Sequence, residues 1–125
     1  LWATWCAPCR REMPSLQRLS AQLDGRRFVV RGLAVDKDPE LVREFVLERQ
    51  IDFARHVDPH AKIVEAILGV RIYPSTLIIS PQGRLLQAVA GPRPWDVPAT
   101  MGALERAYRG ESFDLGTARL PSERL

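Results

Sequence analysis

Cys6 and Cys9 are the only two cysteines among 125 residues, and they stand as Trp5-Cys6-Ala7-Pro8-Cys9. Leu1-Trp2-Ala3-Thr4 reads as the end of a strand and the residues from Ala7 onward as a helix, so Cys6 falls at a helix N-terminus. Unpaired N–H groups and the macrodipole there favour the thiolate. Cys9 lies one turn further in, close enough to form a disulfide with Cys6, and is expected to be the more buried of the two. This pattern predicts thiol–disulfide exchange. The Cys6 thiolate attacks a partner's disulfide, and Cys9 resolves the mixed disulfide by attacking Cys6. Run backwards, the same pair oxidises a dithiol. A helix terminus supplies about 0.3–1 kcal/mol, against about 1.36 kcal/mol per pKa unit. Ala7 and Pro8 place no donor or charge between the cysteines, so the sequence favours a reductant over a strong oxidant.

Zinc and an inert structural disulfide are the competing readings. A zinc site would have to draw on His56 and His60, and 46 residues separate Cys9 from His56. A zinc finger allows about 12–15 there. The histidines are therefore read as solvated or locally hydrogen-bonded groups.

The remaining elements must hold the pair in place. The first helix is expected over 7–24, with Met13, Leu16, Leu19 and Leu23 recurring every three or four residues, a kink at Pro14 and Asp24-Gly25 closing it. Residues 28–35 (FVVRGLAV) read as a strand covered on both faces. Asp38-Pro39 caps a helix to about Gln50, with Leu41, Val42, Phe45 and Val46 on one stripe. A short strand over 53–57 follows, then Asp58-Pro59 and a short helix carrying Ile63, Val64 and Ile67. Strands at 76–80 and 84–90 are joined by Ser80-Pro81-Gln82-Gly83 as an antiparallel hairpin, and a last helix spans about 95–109. Alternating strands and helices ending in a hairpin predict a mainly parallel sheet with helices on both faces.

Composition bounds the function. Apolar residues at 46% and charged residues at 26% describe a globular domain. The net charge of +3 is spread along the chain and indicates no nucleic-acid partner. No apolar run reaches the roughly 18 residues of a membrane helix. The chain starts at Leu1 rather than Met, so any leader or anchor would lie before it.

The segment Trp2-Ala3-Thr4-Trp5-Cys6-Ala7-Pro8-Cys9 resembles the active-site segment of thioredoxin-fold proteins. Continued through Arg10-Arg11-Glu12-Met13-Pro14, it is most similar to the TlpA/ResA/CcmG branch of extracytoplasmic bacterial thiol–disulfide oxidoreductases. Gly69-Val70-Arg71-Ile72-Tyr73-Pro74-Ser75-Thr76-Leu77-Ile78-Ile79 is similar to that family's cis-proline segment, and Gly91 matches the glycine after its last strand. The resemblance covers residues 1–109. Between Cys9 and Pro74 lie 64 residues, more than in plain thioredoxins, which leaves room for the branch's central insert at 39–57.

The resemblance implies an α/β, thioredoxin-like three-layer sandwich: a mixed sheet with helices on both faces, an inserted helix–strand unit, and a first strand cut short at Leu1. It implies a domain over 1–109, followed by a tail or extension over 110–125. Cys6 is the implied nucleophile and Cys9 the resolving thiol. Glu12 tunes or deprotonates Cys9, with an ordinary first-turn glutamate as the plainer reading, and Pro74 is the cis-proline that shapes the docking groove. Trp5, Ala7, Pro8 and Tyr73 face the substrate. Ile72 and Tyr73 depart from the smaller residues common before that proline and so bear on partner choice. No cofactor is implied beyond the redox-active Cys6–Cys9 pair. Partners are cysteine-bearing proteins, apocytochrome c or its delivery partners among them, and an upstream dithiol donor. The implied location is extracytoplasmic or periplasmic. The alternatives are an oxidase, a general thioredoxin, or a binding module that uses the fold without turnover.

Overall fold

The computed structural model describes residues 1–23 and 27–116. Helix α1 spans Ala7–Leu23 and runs through Pro14, whose ring faces solvent. Cys9, Glu12, Met13, Ser15, Leu19 and Leu23 line its buried side. The apolar spacing located that side, and two polar residues share it. Asp24 and Gly25, expected to close the helix, lie outside the described residues.

Strand β1 (Leu33–Ala34) pairs in parallel with β2 (His56–Val57). Both are shorter than the expected 28–35 and 53–57, and Val29 is 69% exposed where cover on both faces was expected. Pairing extends one residue beyond β1, because Gly32 N donates to Phe53 O (2.9 Å) and His56 N to Gly32 O (3.3 Å). Between the two strands lies α2 (Pro39–Glu48), capped by the Asp38 carboxylate, which accepts from Glu40 N at 3.0 Å. Val42 is its buried residue, Phe45 and Val46 pack partly, and Leu41 faces solvent. After β2, the expected helix is a 3₁₀ turn over Pro59–Ala61 followed by turns. The Asp58 carboxylate accepts from Ile63 N (2.9 Å) and Val64 N (2.8 Å), which buries Val64 and leaves Ile63 and Ile67 exposed.

The hairpin forms as expected: β3 (Ser75–Ile79) and β4 (Leu85–Ala90) are antiparallel, with an irregularity between Ile78 and Ile79. Helix α3 spans Pro98–Tyr108. The two ladders meet through the first residues of the chain. Trp2 bridges Ala34 in parallel, its N donating to Leu33 O (3.1 Å) while Val35 N donates to Trp2 O (2.9 Å). On the other side Leu1 and Ser75 exchange both backbone bonds, at 2.9 and 3.2 Å. The strand order is therefore β2, β1, the Leu1–Trp2 segment, β3, β4, a mixed sheet.

Two apolar clusters flank this arrangement. One gathers Trp2, Cys6, Cys9, Met13, Val42, Phe53 and Val64; the other gathers Leu19, Leu23, Ile78, Trp95, Ala103 and Leu115. Helix α1 contributes to both. The segment read as a tail begins at Gly110, and its described part, residues 110–116, packs onto the second cluster through Phe113 and Leu115.

Candidate active site

Cys6 stands where the strand segment gives way to α1. Its N donates to Ala3 O (3.3 Å), and its carbonyl accepts the first helical bond from Arg10 N (3.1 Å). Cys9 N donates to the Cys6 sulfur at 3.3 Å, so the sulfur occupies the position of an N-capping acceptor. A sulfur that accepts a backbone N–H at a helix N-terminus is one whose anionic form is favoured. Cys6 and Cys9 are joined as a disulfide with Cα atoms 5.2 Å apart. Cys6 is 6% exposed and Cys9 fully buried, which gives the two sulfurs unequal access to an incoming partner.

The turn before Cys6 is held from both sides. Thr4 N donates to both oxygens of the buried Asp36 carboxylate (3.0 and 3.3 Å), and the Thr4 hydroxyl donates to Asp36 Oδ2. Arg10 reaches back to donate to Thr4 O at 2.8 Å.

The Tyr73–Pro74 peptide bond is cis, as the resemblance implies, and Pro74 is buried. Its carbonyl accepts from Gly91 N (2.8 Å), and Gly91 has φ +87°, which a residue with Cβ rarely adopts. Tyr73 packs against the cluster that holds both cysteines. Trp5, 64% exposed, meets the Tyr73 ring edge-on with centroids 6.1 Å apart. The residue before Cys6 thus touches the residue before Pro74. The Tyr73 hydroxyl donates to Glu65 Oε2 (2.9 Å), and Arg71 pairs with Oε1 of the same carboxylate at 3.3 Å. Burial, and then the bond to Glu65, push the Tyr73 phenol up to about 12. Ala7 is exposed and Pro8 half-buried, and Ile67, Leu68 and Ile72 are exposed on the segment leading to Pro74.

Glu12 is 2% exposed, so it is not a surface first-turn glutamate. It lies one turn of α1 from Cys9 and accepts from Arg93 N at 2.9 Å. Burial pushes its carboxyl above the usual carboxylate range, opposed by the Trp95 indole, the Arg93 N–H and nearby positive charge.

The structure therefore gathers Trp5, Cys6, Cys9 and Tyr73, sets Pro74 directly after them, and places Glu12 beneath. Sequence reading did not single out Asp36, Glu65 or Arg93 for this site. Each acts across 8 to 81 residues of chain, which no local spacing reports. Among the described residues no three His, Cys, Asp or Glu side chains gather as a set of metal ligands, and His56 and His60 are exposed. No helix among them is long and apolar enough to cross a membrane.

Residues 1–88 match the AhpC/TSA family. A thiol-disulfide oxidoreductase ResA of Bacillus thuringiensis subsp. konkukian is 28% identical over 90 residues, covering 72% of this chain and 51% of that protein. A thiol:disulfide interchange protein DsbE homolog of Paracoccus denitrificans is 41% identical over 93 residues, covering 73% and 48%. The crystal structure of a putative thiol:disulfide interchange protein DsbE from Chlorobium tepidum superposes with a TM-score of 0.72 at 26% identity, covering 92% of this chain and 76% of that one. The chain spans about half the length of these curated relatives. With a thioredoxin-like α/β fold, a bridged C-x-x-C pair and these relatives, the chain belongs to the AhpC/TSA family, in its TlpA/ResA/CcmG-like branch.

Proposed function

We propose that this chain is a thiol–disulfide oxidoreductase that reduces disulfides in cysteine-bearing proteins outside the cytoplasm, those of cytochrome c maturation among them. The observation that carries the reading is the bridged Cys6–Cys9 pair at the start of α1, next to an apolar surface and Pro74. In the reduced protein the Cys6 thiolate attacks one sulfur of the partner's disulfide. A Cys6–partner bond forms and the partner's other sulfur leaves as a thiolate. Glu12 takes the Cys9 thiol proton, and the Cys9 thiolate attacks the Cys6 sulfur, expelling the partner's second thiolate. The partner gains two electrons and ends as a dithiol once its thiolates take up protons. The enzyme ends as the Cys6–Cys9 disulfide, and an upstream dithiol reduces it again. No bound cofactor takes part in this cycle.

Trp5, Ala7, Pro8 and Tyr73 form the proposed docking face. In this reading the backbone beside Pro74 pairs with an extended stretch of the partner. The test is Cys9→Ser, which removes the resolving thiol and is expected to accumulate a Cys6–partner disulfide in non-reducing gels of periplasmic extract. A Cys9→Ser protein that captures nothing, beside a Cys6→Ser control that also captures nothing, would leave a fold used for binding without turnover.

A further inference from the structure

The loop from Gly91 to Val97 is registered on α1 at three successive turns. Glu12 accepts from Arg93 N (2.9 Å), Ser15 Oγ accepts from Trp95 N (3.1 Å), and Arg18 pairs with Asp96 (2.6 Å). Steps of three residues make neighbours of Glu12 and Ser15, and of Ser15 and Arg18, in a row that winds from the buried side of the helix to the exposed Arg18. Cys9 lies three residues before Glu12 and is fully buried, so the buried end of this row leads to the resolving sulfur.

Arg93 is itself only 7% exposed. A buried guanidinium needs acceptors, and this one finds them on the segment after α3: one terminal nitrogen donates to Leu115 O at 2.6 Å and the other to Gly116 O at 3.2 Å. Its carbon lies 5.1 Å from the centre of the Trp95 ring, in cation–π range. The acceptors are carbonyls rather than a carboxylate, so the positive charge is oriented without being neutralised by direct pairing. Among the described side chains, the charge facing Glu12 is Arg93, from this loop. Asp114, beside Leu115, faces Arg93 in turn. The Trp95 indole N–H is buried, makes no hydrogen bond, and contributes a nearby positive dipole that favours the anion.

We propose that Arg93 is a positioning residue for Glu12: clamped by the Leu115 and Gly116 carbonyls and set over the Trp95 ring, it fixes the backbone N–H that the buried carboxylate accepts and holds a positive charge near that carboxylate, one turn from Cys9. The segment 113–116 thereby acts on thiol chemistry without touching a sulfur. This rests on the role proposed above for Glu12 in the resolving step, but the electrostatic link from Arg93 to Glu12 can be measured separately.

The direct measurement is the carboxyl ¹³C titration of Glu12 in the oxidised protein, assigned by loss of the signal in Glu12→Gln. Arg93→Met is expected to move the midpoint upward by less than about one pH unit, since the Arg93 charge is one of several influences that oppose burial at Glu12. Arg93→Lys keeps the charge but loses the forked contact with the two carbonyls, and is expected to restore at least half of that shift. In the reduced protein, the pH at which closure of the mixed disulfide slows should rise with the Glu12 midpoint. Equal Glu12 midpoints in wild type and Arg93→Met, with only the melting temperature lowered, would reduce Arg93 to a structural clamp and overturn the proposal. So would Arg93→Lys matching Arg93→Met. If Arg93→Met does not fold, Arg93→Gln, which also removes the charge, carries the test: an upward shift supports the proposal and none overturns it. A midpoint that moves while Cys9→Ser traps no partner would keep the electrostatic link and remove the exchange reading.

Discussion

Replacing Gly32 with Ala would introduce one methyl group where β1 approaches the chain before β2. A Cβ built at Gly32 lies 2.7 Å from Ala54 Cβ and 2.8 Å from Ala54 Cα, with Phe53 Cδ2 at 3.3 Å. Non-bonded carbons rest at about 3.5–4.0 Å, so the two segments would have to part by about 1 Å. Because one of the opposing atoms is backbone, no rotamer change relieves the contact. The parting strains the bonds between Gly32 N and Phe53 O and between His56 N and Gly32 O. Overpacking of this kind costs about 1–3 kcal/mol, offset by about 0.4–1 kcal/mol because alanine restricts the unfolded chain. The net loss of about 1–2 kcal/mol corresponds to a melting temperature lower by about 5–10 °C for a domain of this size. Thermal unfolding followed by circular dichroism reads it out. Gly102→Ala is the comparison: it lies within α3 with nothing within 4 Å of its added Cβ. That change is expected to stabilise by about 0.5–1 kcal/mol. Adding Ala54→Gly to Gly32→Ala should recover part of the loss, since it removes the 2.7 Å contact and leaves the 2.8 Å one. A Gly32→Ala protein that melts at or above the wild-type temperature would refute the reasoning, because the two segments could not then approach as described.

Two further outcomes follow from the buried carboxylates. For Glu12, the folded carboxyl is raised above its unfolded value, so the folded state holds the proton more tightly and this group's contribution to stability falls as pH rises from the unfolded to the folded value. Glu12→Gln is therefore expected to raise the urea midpoint of the oxidised protein at neutral pH, with the gain shrinking below the usual carboxylate range; a gain independent of pH would argue against the burial effect. Asp36→Ala leaves Thr4 N–H and hydroxyl without their acceptor, at a cost of about 1–3 kcal/mol. It is expected to lower the urea midpoint and slow the exchange of Cys6 with a small disulfide, and unchanged kinetics would detach Asp36 from the site.

The parts of this molecule that depend on neighbours in sequence were the legible ones. The C-x-x-C pair, the capped start of α2 at Asp38, the hairpin turn with Gly83, and α1 itself follow from spacing and local backbone chemistry. The run at 28–35 was read as a strand covered on both faces because it is nearly all apolar. Its pairing is limited to residues 32–35, and Val29 is left in solvent. Apolar composition reports the tendency to be buried, while exposure depends on what the fold places opposite. Glu12 shows the same limit from the polar side. Its place on α1 was legible, but its burial depends on a loop 81 residues away, and no periodicity carries that. The segment after Gly110, poor in apolar residues, docks through Leu115 and two carbonyls that sequence does not distinguish from any others.

The Leu1–Trp2 segment is the seam of the sheet. Four backbone bonds, two to the β1 side and two to Ser75, join ladders that otherwise do not meet, and Cys6 follows four residues later on the same stretch of chain. A partial opening that separates β1 and β2 from the hairpin must tear this stretch from at least one neighbour, removing the support of the turn that carries the reactive sulfur. Local unfolding in such a protein cannot part the sheet and spare the redox centre: the two belong to one cooperative unit.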